Sequence, residues 1–119
     1  CLLEKYEQMN EQDEKQRLII QIRGERIFLM QSEIQYMERS ERKTYIYSYD
    51  CGQERVIATS QKINELSKKL DSRIFMRCHN SYIVNINFIS KMYREHFVLK
   101  NGKSIPISRR YSKKIRERF

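Results

Sequence analysis

Residues 74–89 read IFMRCHNSYIVNINFI. Apolar residues lead in, a polar run follows, and apolar residues resume. Residues 82–84 and 88–89 are short and apolar, which predicts buried short strands. Between the apolar stretches, Arg77, His79 and Asn80 form a polar cluster on a loop, where a rigid scaffold presents side chains. This alternation of short strand and polar loop sets the class of the chain, because the flanking segments repeat it.

Toward the C-terminus, residues 97–100 and 103–107 flank Asn101-Gly102, the strongest hairpin signal in the sequence. Pro106 lacks an N–H, which predicts an edge strand. Residues 108–119 then predict a basic helix with Ser108 as N-cap. Toward the N-terminus, residues 60–70 predict a helix: Ser60 caps it, and Ile63, Leu66 and Leu70 fall at i, i+3 and i+7. Lys68 and Lys69 suit its negative end. Further upstream lie four strand-like runs, residues 18–23, 26–30, 44–49 and 55–59, with 34–38 as a fifth. Gly24-Glu25 and Asp50-Cys51-Gly52 supply turns. Eight or nine strands with one or two helices make a mostly β domain.

The 119 residues fit one domain. No apolar run approaches the roughly 18 residues of a membrane-spanning helix. Net charge is +9, which points to an anionic partner. The charge is uneven. Residues 1–16 hold five acids and two bases, and residues 17–119 hold 22 bases and 10 acids. The first 16 residues therefore read as a linker or short helix from an upstream part, with a disordered tail as the alternative. A start at Cys1, with Leu2 and Leu3 followed at once by Glu4 and Lys5, suggests a piece of a longer protein without a signal peptide.

Three cysteines, Cys1, Cys51 and Cys78, include no CxxC pair, and His79 and His96 lie far apart. That pattern argues against a disulfide framework and a zinc site, and fits reduced thiols in the cytosol. No Gly-rich phosphate loop, HExxH or GxSxG occurs, so no enzyme activity, metal or cofactor is expected. Cys78 reads as a small buried hydrophobe. A redox role would need Arg77 and His79 to lower its pKa.

The basic residues say more. Arg39, Arg42 and Lys43 precede the 44–49 strand. Arg77, His79 and Asn80 follow the first helix. Arg109, Arg110, Lys113 and Lys114 follow the last strand. Lys and Arg bind phosphate, whereas Arg can fork onto guanine and Asn onto adenine. Tyr45, Tyr47 and Tyr49 alternate on one strand face. Such a row could stack RNA bases, although packing on a neighbouring strand is the favoured account.

The ordered segments 34–47 (IQYMERSERKTYIY), 64–70 (NELSKKL), 75–85 (FMRCHNSYIVN), 101–108 (NGKSIPIS) and 108–115 (SRRYSKKI) resemble one family. It is the LytTR DNA-binding domain of bacterial response regulators, in its AgrA/VirR-like branch. The resemblance spans residues 18–115. It implies an elongated fold of about ten short strands in three small sheets, whose loops enter successive major grooves of bent DNA. It implies base contacts from Asn80 and Arg110. A third base-reading position, histidine in AgrA, falls at Lys43 or Thr44, where this sequence departs from the pattern. Backbone contacts are implied for Arg42, Arg77, Ser81, Arg109, Tyr111 and Lys113, and local hydrogen bonding for His79. The implied partners are duplex DNA with tandem direct repeats, an upstream receiver domain and a second copy on DNA. The alternative function is RNA binding by a small basic β protein, and a further alternative is docking on anionic protein or lipid surfaces.

Overall fold

The computed structural model describes residues 17–50 and 52–119. The expected linker over residues 1–16 lies outside them, as does Cys51 of the expected turn.

The described residues form strands β1 (Arg17–Ile22), β2 (Glu25–Met30), β3 (Ile34–Ser40), β4 (Lys43–Asp50) and β5 (Gln53–Thr59). Helix α1 (Ile63–Ser67) follows, then β6 (Phe75–His79), β7 (Tyr82–Asn85), β8 (Ile89–Met92), β9 (His96–Leu99) and β10 (Ser104–Pro106), and finally helix α2 (Arg109–Arg118). The strands make three antiparallel sheets: β1-β2, β5-β4-β3-β7-β6 and β10-β9-β8. This agrees with the mostly β, three-sheet expectation. Pro106 does sit on an edge strand.

The five-stranded sheet is covered on both faces, because side chains of a strand alternate between faces. Ile46, Ile57, Phe75 and Ile83 pack with Leu18, Ile20 and Leu29 of the β1-β2 hairpin and with Ile63 and Leu66 of α1. Tyr36, Met76, Cys78 and Val84 pack on the other side with Phe97, Leu99, Ile105 and Ile115. Neighbours such as Phe75/Met76 and Ile83/Val84 thus belong to opposite cores. A strand buried on both faces reads as a continuous apolar run, which is the pattern at residues 75–76 and 82–84. Residues 86–88 instead form a 3-10 turn with no buried residue and Ile89 opens β8, so the buried strand expected at 88–89 does not form.

Buried polar side chains hold the connections. Asn85 Nδ2 donates to Ile34 O at 2.8 Å, and its Oδ1 accepts from Asn87 N at 2.9 Å. Gln31 donates to Lys69 O at 3.2 Å and accepts from Asp71 N at 2.8 Å.

The start of α1 differs from the sequence reading, whereas that of α2 agrees with it in position. Helix α1 begins only at Ile63, and Lys62 occupies its N-cap position. Thr59 and its neighbours hold Gln61 instead: Gln61 N donates to Thr59 Oγ1, and Gln61 O accepts from Thr44 Oγ1 and Arg39 Nη1. With both backbone groups committed, Gln61 cannot enter the helix that Ser60 was expected to cap. Leu70 lies beyond the helix but still packs on the first core. Ser108 does occupy the N-cap position of α2, but its side chain makes no capping bond. Its N–H is used elsewhere, in a link between the two central segments of the site.

Candidate nucleic-acid interface

Strand pairing brings the three basic segments to one end of the central sheet. Ser40 pairs with Lys43 across the Glu41-Arg42 turn, and His79 pairs with Tyr82 across the Asn80-Ser81 turn. Strands β3 and β7 are antiparallel neighbours, with Glu38 opposite Tyr82, so both turns lie at the same sheet end. Arg39 N donates to Ser81 O at 2.8 Å and joins them. Ser108 N donates to Cys78 O at 2.9 Å and fixes the start of α2 beside the second turn. The bonded residues are 42 and 30 positions apart in sequence, yet each segment touches the next through the backbone.

Asn80 is exposed at its turn, and Arg110 is exposed in the first turn of α2. Tyr111 connects them. Its hydroxyl donates to Asn80 Oδ1 at 3.2 Å, and the Arg110 guanidinium lies 5.7 Å from its ring centroid. At the third position the two candidates separate. Lys43 is exposed, whereas Thr44 is fully buried with its hydroxyl donating to Gln61 and accepting from Arg39. In this arrangement only Lys43 of that pair faces solvent. Arg42, Arg109, Lys113 and Lys114 are exposed, and Ser81 is half-buried.

Two arginines assigned to the basic clusters are engaged internally. Arg77 donates from Nε to His79 O at 2.8 Å, from Nη1 to Asn64 Oδ1 at 2.9 Å, and from Nη2 to Asn80 O. It braces the Asn80 turn from the α1 side. Arg39 belongs to β3 rather than to the turn, and its Nη1 holds Thr44 and Gln61. His79 Nδ1 accepts from Ser81 N at 3.1 Å, the expected local role. The bulge between Arg77 and His79 lets the strand turn this corner. Asn64 was missed because a polar residue on a short helix carries no sequence mark of what it will meet.

Two of the three tyrosines in the row are occupied by packing. Tyr47 stacks on Tyr36 with ring centroids 4.3 Å apart, and Tyr49 stacks on Phe88 at 5.7 Å. Tyr82 donates to Glu38 at 2.7 Å, and burial followed by that carboxylate pushes its hydroxyl up to about 12.

Cys78 is fully buried, as its reading as a small buried hydrophobe expects, and the alternative redox role loses its chemical basis. Burial pushes its thiol up from 9.0 to about 12, and this outweighs the lowering by Arg77, whose side chain lies on the other face of the sheet. Thiolate chemistry is thereby disfavoured. The unfolded chain ionises at lower pH than the native one. The contribution of the buried thiol to stability is intact below about pH 9 and is lost as pH rises toward 12. Iodoacetamide at pH 8 is expected to leave Cys78 unlabelled in the native protein and to label it after unfolding. Peptide mapping checks this, and rapid native labelling of Cys78 would contradict it.

A β scaffold that presents exposed Asn, Arg and Lys side chains from two turns and a helix start has the chemistry of a nucleic-acid-binding domain. Comparison with known proteins agrees. The model of the LytTr DNA-binding domain family matches residues 24–119. The sensory transduction protein LytT of Enterococcus faecalis is 30% identical over 106 residues, covering 84% of this chain and 43% of that protein. LytT of Bacillus anthracis is 37% identical over 57 residues, covering 44% and 23% respectively. The Escherichia coli transcriptional regulatory protein BtsR is 36% identical over 56 residues, covering 42% and 23%. The solved LytTr DNA-binding domain of a Bacillus cereus response regulator superposes with a TM-score of 0.72 at 24% identity, over 86% of this chain and 94% of that one. The chain belongs to the LytTR DNA-binding domain family. It spans about a quarter to a little under half the length of these curated relatives.

Proposed function

We propose that this domain is the output half of a cytoplasmic two-component response regulator that binds duplex DNA sequence-specifically and regulates transcription. The observation that carries the reading is the convergence of Asn80, Arg110 and Lys43 at one end of a rigid sheet. Asn80 and Arg110 read base edges, and Lys43 supplies the third contact. Arg42, Arg109 and Lys113 hold the phosphate backbone on either side. Two such domains occupy tandem direct repeats. Residues 1–16 are the linker from an upstream receiver domain, whose phosphorylation promotes pairing.

Selection from random duplex DNA tests this directly. Enrichment of a direct-repeat motif is expected, and enrichment of no motif would refute sequence-specific binding. In a competition at physiological salt, the selected duplex should displace single-stranded RNA; preference for RNA would favour the alternative reading. Lys113→Ala should weaken cognate and unrelated duplexes alike and shallow the log-affinity against log-salt slope by about 0.9, one phosphate contact. An unchanged slope would remove Lys113 from the backbone contacts.

A further inference from the structure

Tyr111 stands between the two residues assigned to base reading. Its hydroxyl donates to Asn80 Oδ1 at 3.2 Å, the Arg110 guanidinium lies 5.7 Å from its ring centroid, and its own N–H donates to Ser108 O at 3.1 Å. The side chain is half-buried and its ring packs against the second core. We propose that Tyr111 is a positioning residue that sets base specificity by fixing the Asn80 carboxamide and seating Arg110 beside it. The inference rests on the base-reading roles of Asn80 and Arg110.

The chemistry of a carboxamide gives the reason. Its oxygen and nitrogen ends are nearly the same in shape, but an adenine edge presents an acceptor and a donor in fixed order. A flipped Asn80 would place donor against donor. A phenol donates better than it accepts, because its oxygen lone pair is delocalised into the ring, so the Tyr111 hydroxyl favours the oxygen end beside it. One lone pair of Oδ1 is used, and the other remains for a base together with both Nδ2 hydrogens. The backbone of the same turn is held independently, by Arg77 against His79 O and Asn80 O. Arg77 therefore places the turn, and Tyr111 orients the side chain on it. The aromatic face also restricts the Arg110 guanidinium without neutralising it. One side chain thus registers two readers that come from separate parts of the chain.

The phosphate-backbone role suggested for Tyr111 by sequence makes a different prediction. Under that role Tyr111 acts on its own, and its loss adds to the loss of Asn80. Under the positioning role the two losses overlap.

The test uses the whole chain, the selected duplex and its single-base-pair variants. Tyr111→Phe should reduce discrimination at the base pair read by Asn80 about two- to tenfold, the range of one neutral hydrogen bond. Discrimination at the pair read by Arg110 should persist, and the melting temperature should stay near that of the parent. In an Asn80→Ala background, Tyr111→Phe should change nothing further. Tyr111→Leu, which also removes the ring, should blur both positions. Parent-like discrimination by Tyr111→Phe, or effects that add to those of Asn80→Ala, would overturn the proposal. If Asn80→Ala itself keeps full discrimination, the base-reading assignment fails, which is a separate outcome from failure of Tyr111→Phe alone.

Discussion

Phe97→Ala should lower the unfolding free energy by about 3–5 kcal/mol, the range for removing a buried aromatic ring. Phe97 on β9 is fully buried and packs in the second core with Tyr36, Met76, Val84, Leu99, Ile105 and Ile115. It also meets Phe119 edge-on, with ring centroids 6.4 Å apart. That core attaches the β8–β10 sheet and α2 to the central sheet. A small domain has a net stability of about 5–15 kcal/mol, so the loss would consume a large share of it. Urea unfolding measures the effect through the shift in midpoint. A loss under about 1 kcal/mol would mean that the second core does not join these layers. The functional consequence is specific. Arg110 and Tyr111 lie at the start of α2, so a loosened second core disturbs their placement against Asn80. Substitutions in the first core, under the β1-β2 hairpin, should spare this geometry for as long as the domain stays folded.

Asn80→Ala and Arg110→Ala should each reduce affinity for the selected site by about 1–3 kcal/mol, roughly 5- to 150-fold, with relaxed choice at one base pair. Both side chains are exposed, so the fold should be little affected. The two variants should relax different base pairs, because the residues come from different elements. Affinity for unrelated duplexes should change little for Asn80→Ala, which removes no charge. It should fall modestly for Arg110→Ala, which removes one. Titration against the cognate duplex and a panel of single-base-pair variants makes the comparison. Retention of full discrimination by either variant would remove that residue from the readers. The contrast with Lys113→Ala is the informative one: a phosphate contact is lost equally on every sequence, whereas a base contact is lost on one.

Much of the architecture was legible before the structure. The strands around Gly24-Glu25 and Asn101-Gly102 could be placed because those turns need residues that tolerate positive φ, and Gly24 and Gly102 have φ of 71° and 88°. The Glu41-Arg42 turn was less visible. There Glu41, a residue with no special tolerance, takes φ 52°. The start of α1 was misplaced because the bonds that hold Gln61 outside the helix come from Arg39, Thr44 and Thr59, all distant in sequence or unmarked by propensity. Cys78 was open to two readings until its burial was known.

Composition and local pattern alone determined the mostly β class, the edge position of Pro106 and the basic character of three separate segments. Each depends on short-range properties: side-chain alternation, turn conformation, the missing proline N–H and charge. Which of those charges meet could be decided only by tertiary structure, because cross-strand pairing and packing have no local code. Pairing placed two turns at one sheet end, and the Ser108–Cys78 bond brought α2 to them. The same contacts withdrew Arg39 and Thr44 into the scaffold and set Arg77 to bracing the turn. Asn80, Arg110 and Lys43 were left outward, with Tyr111 holding the first two together.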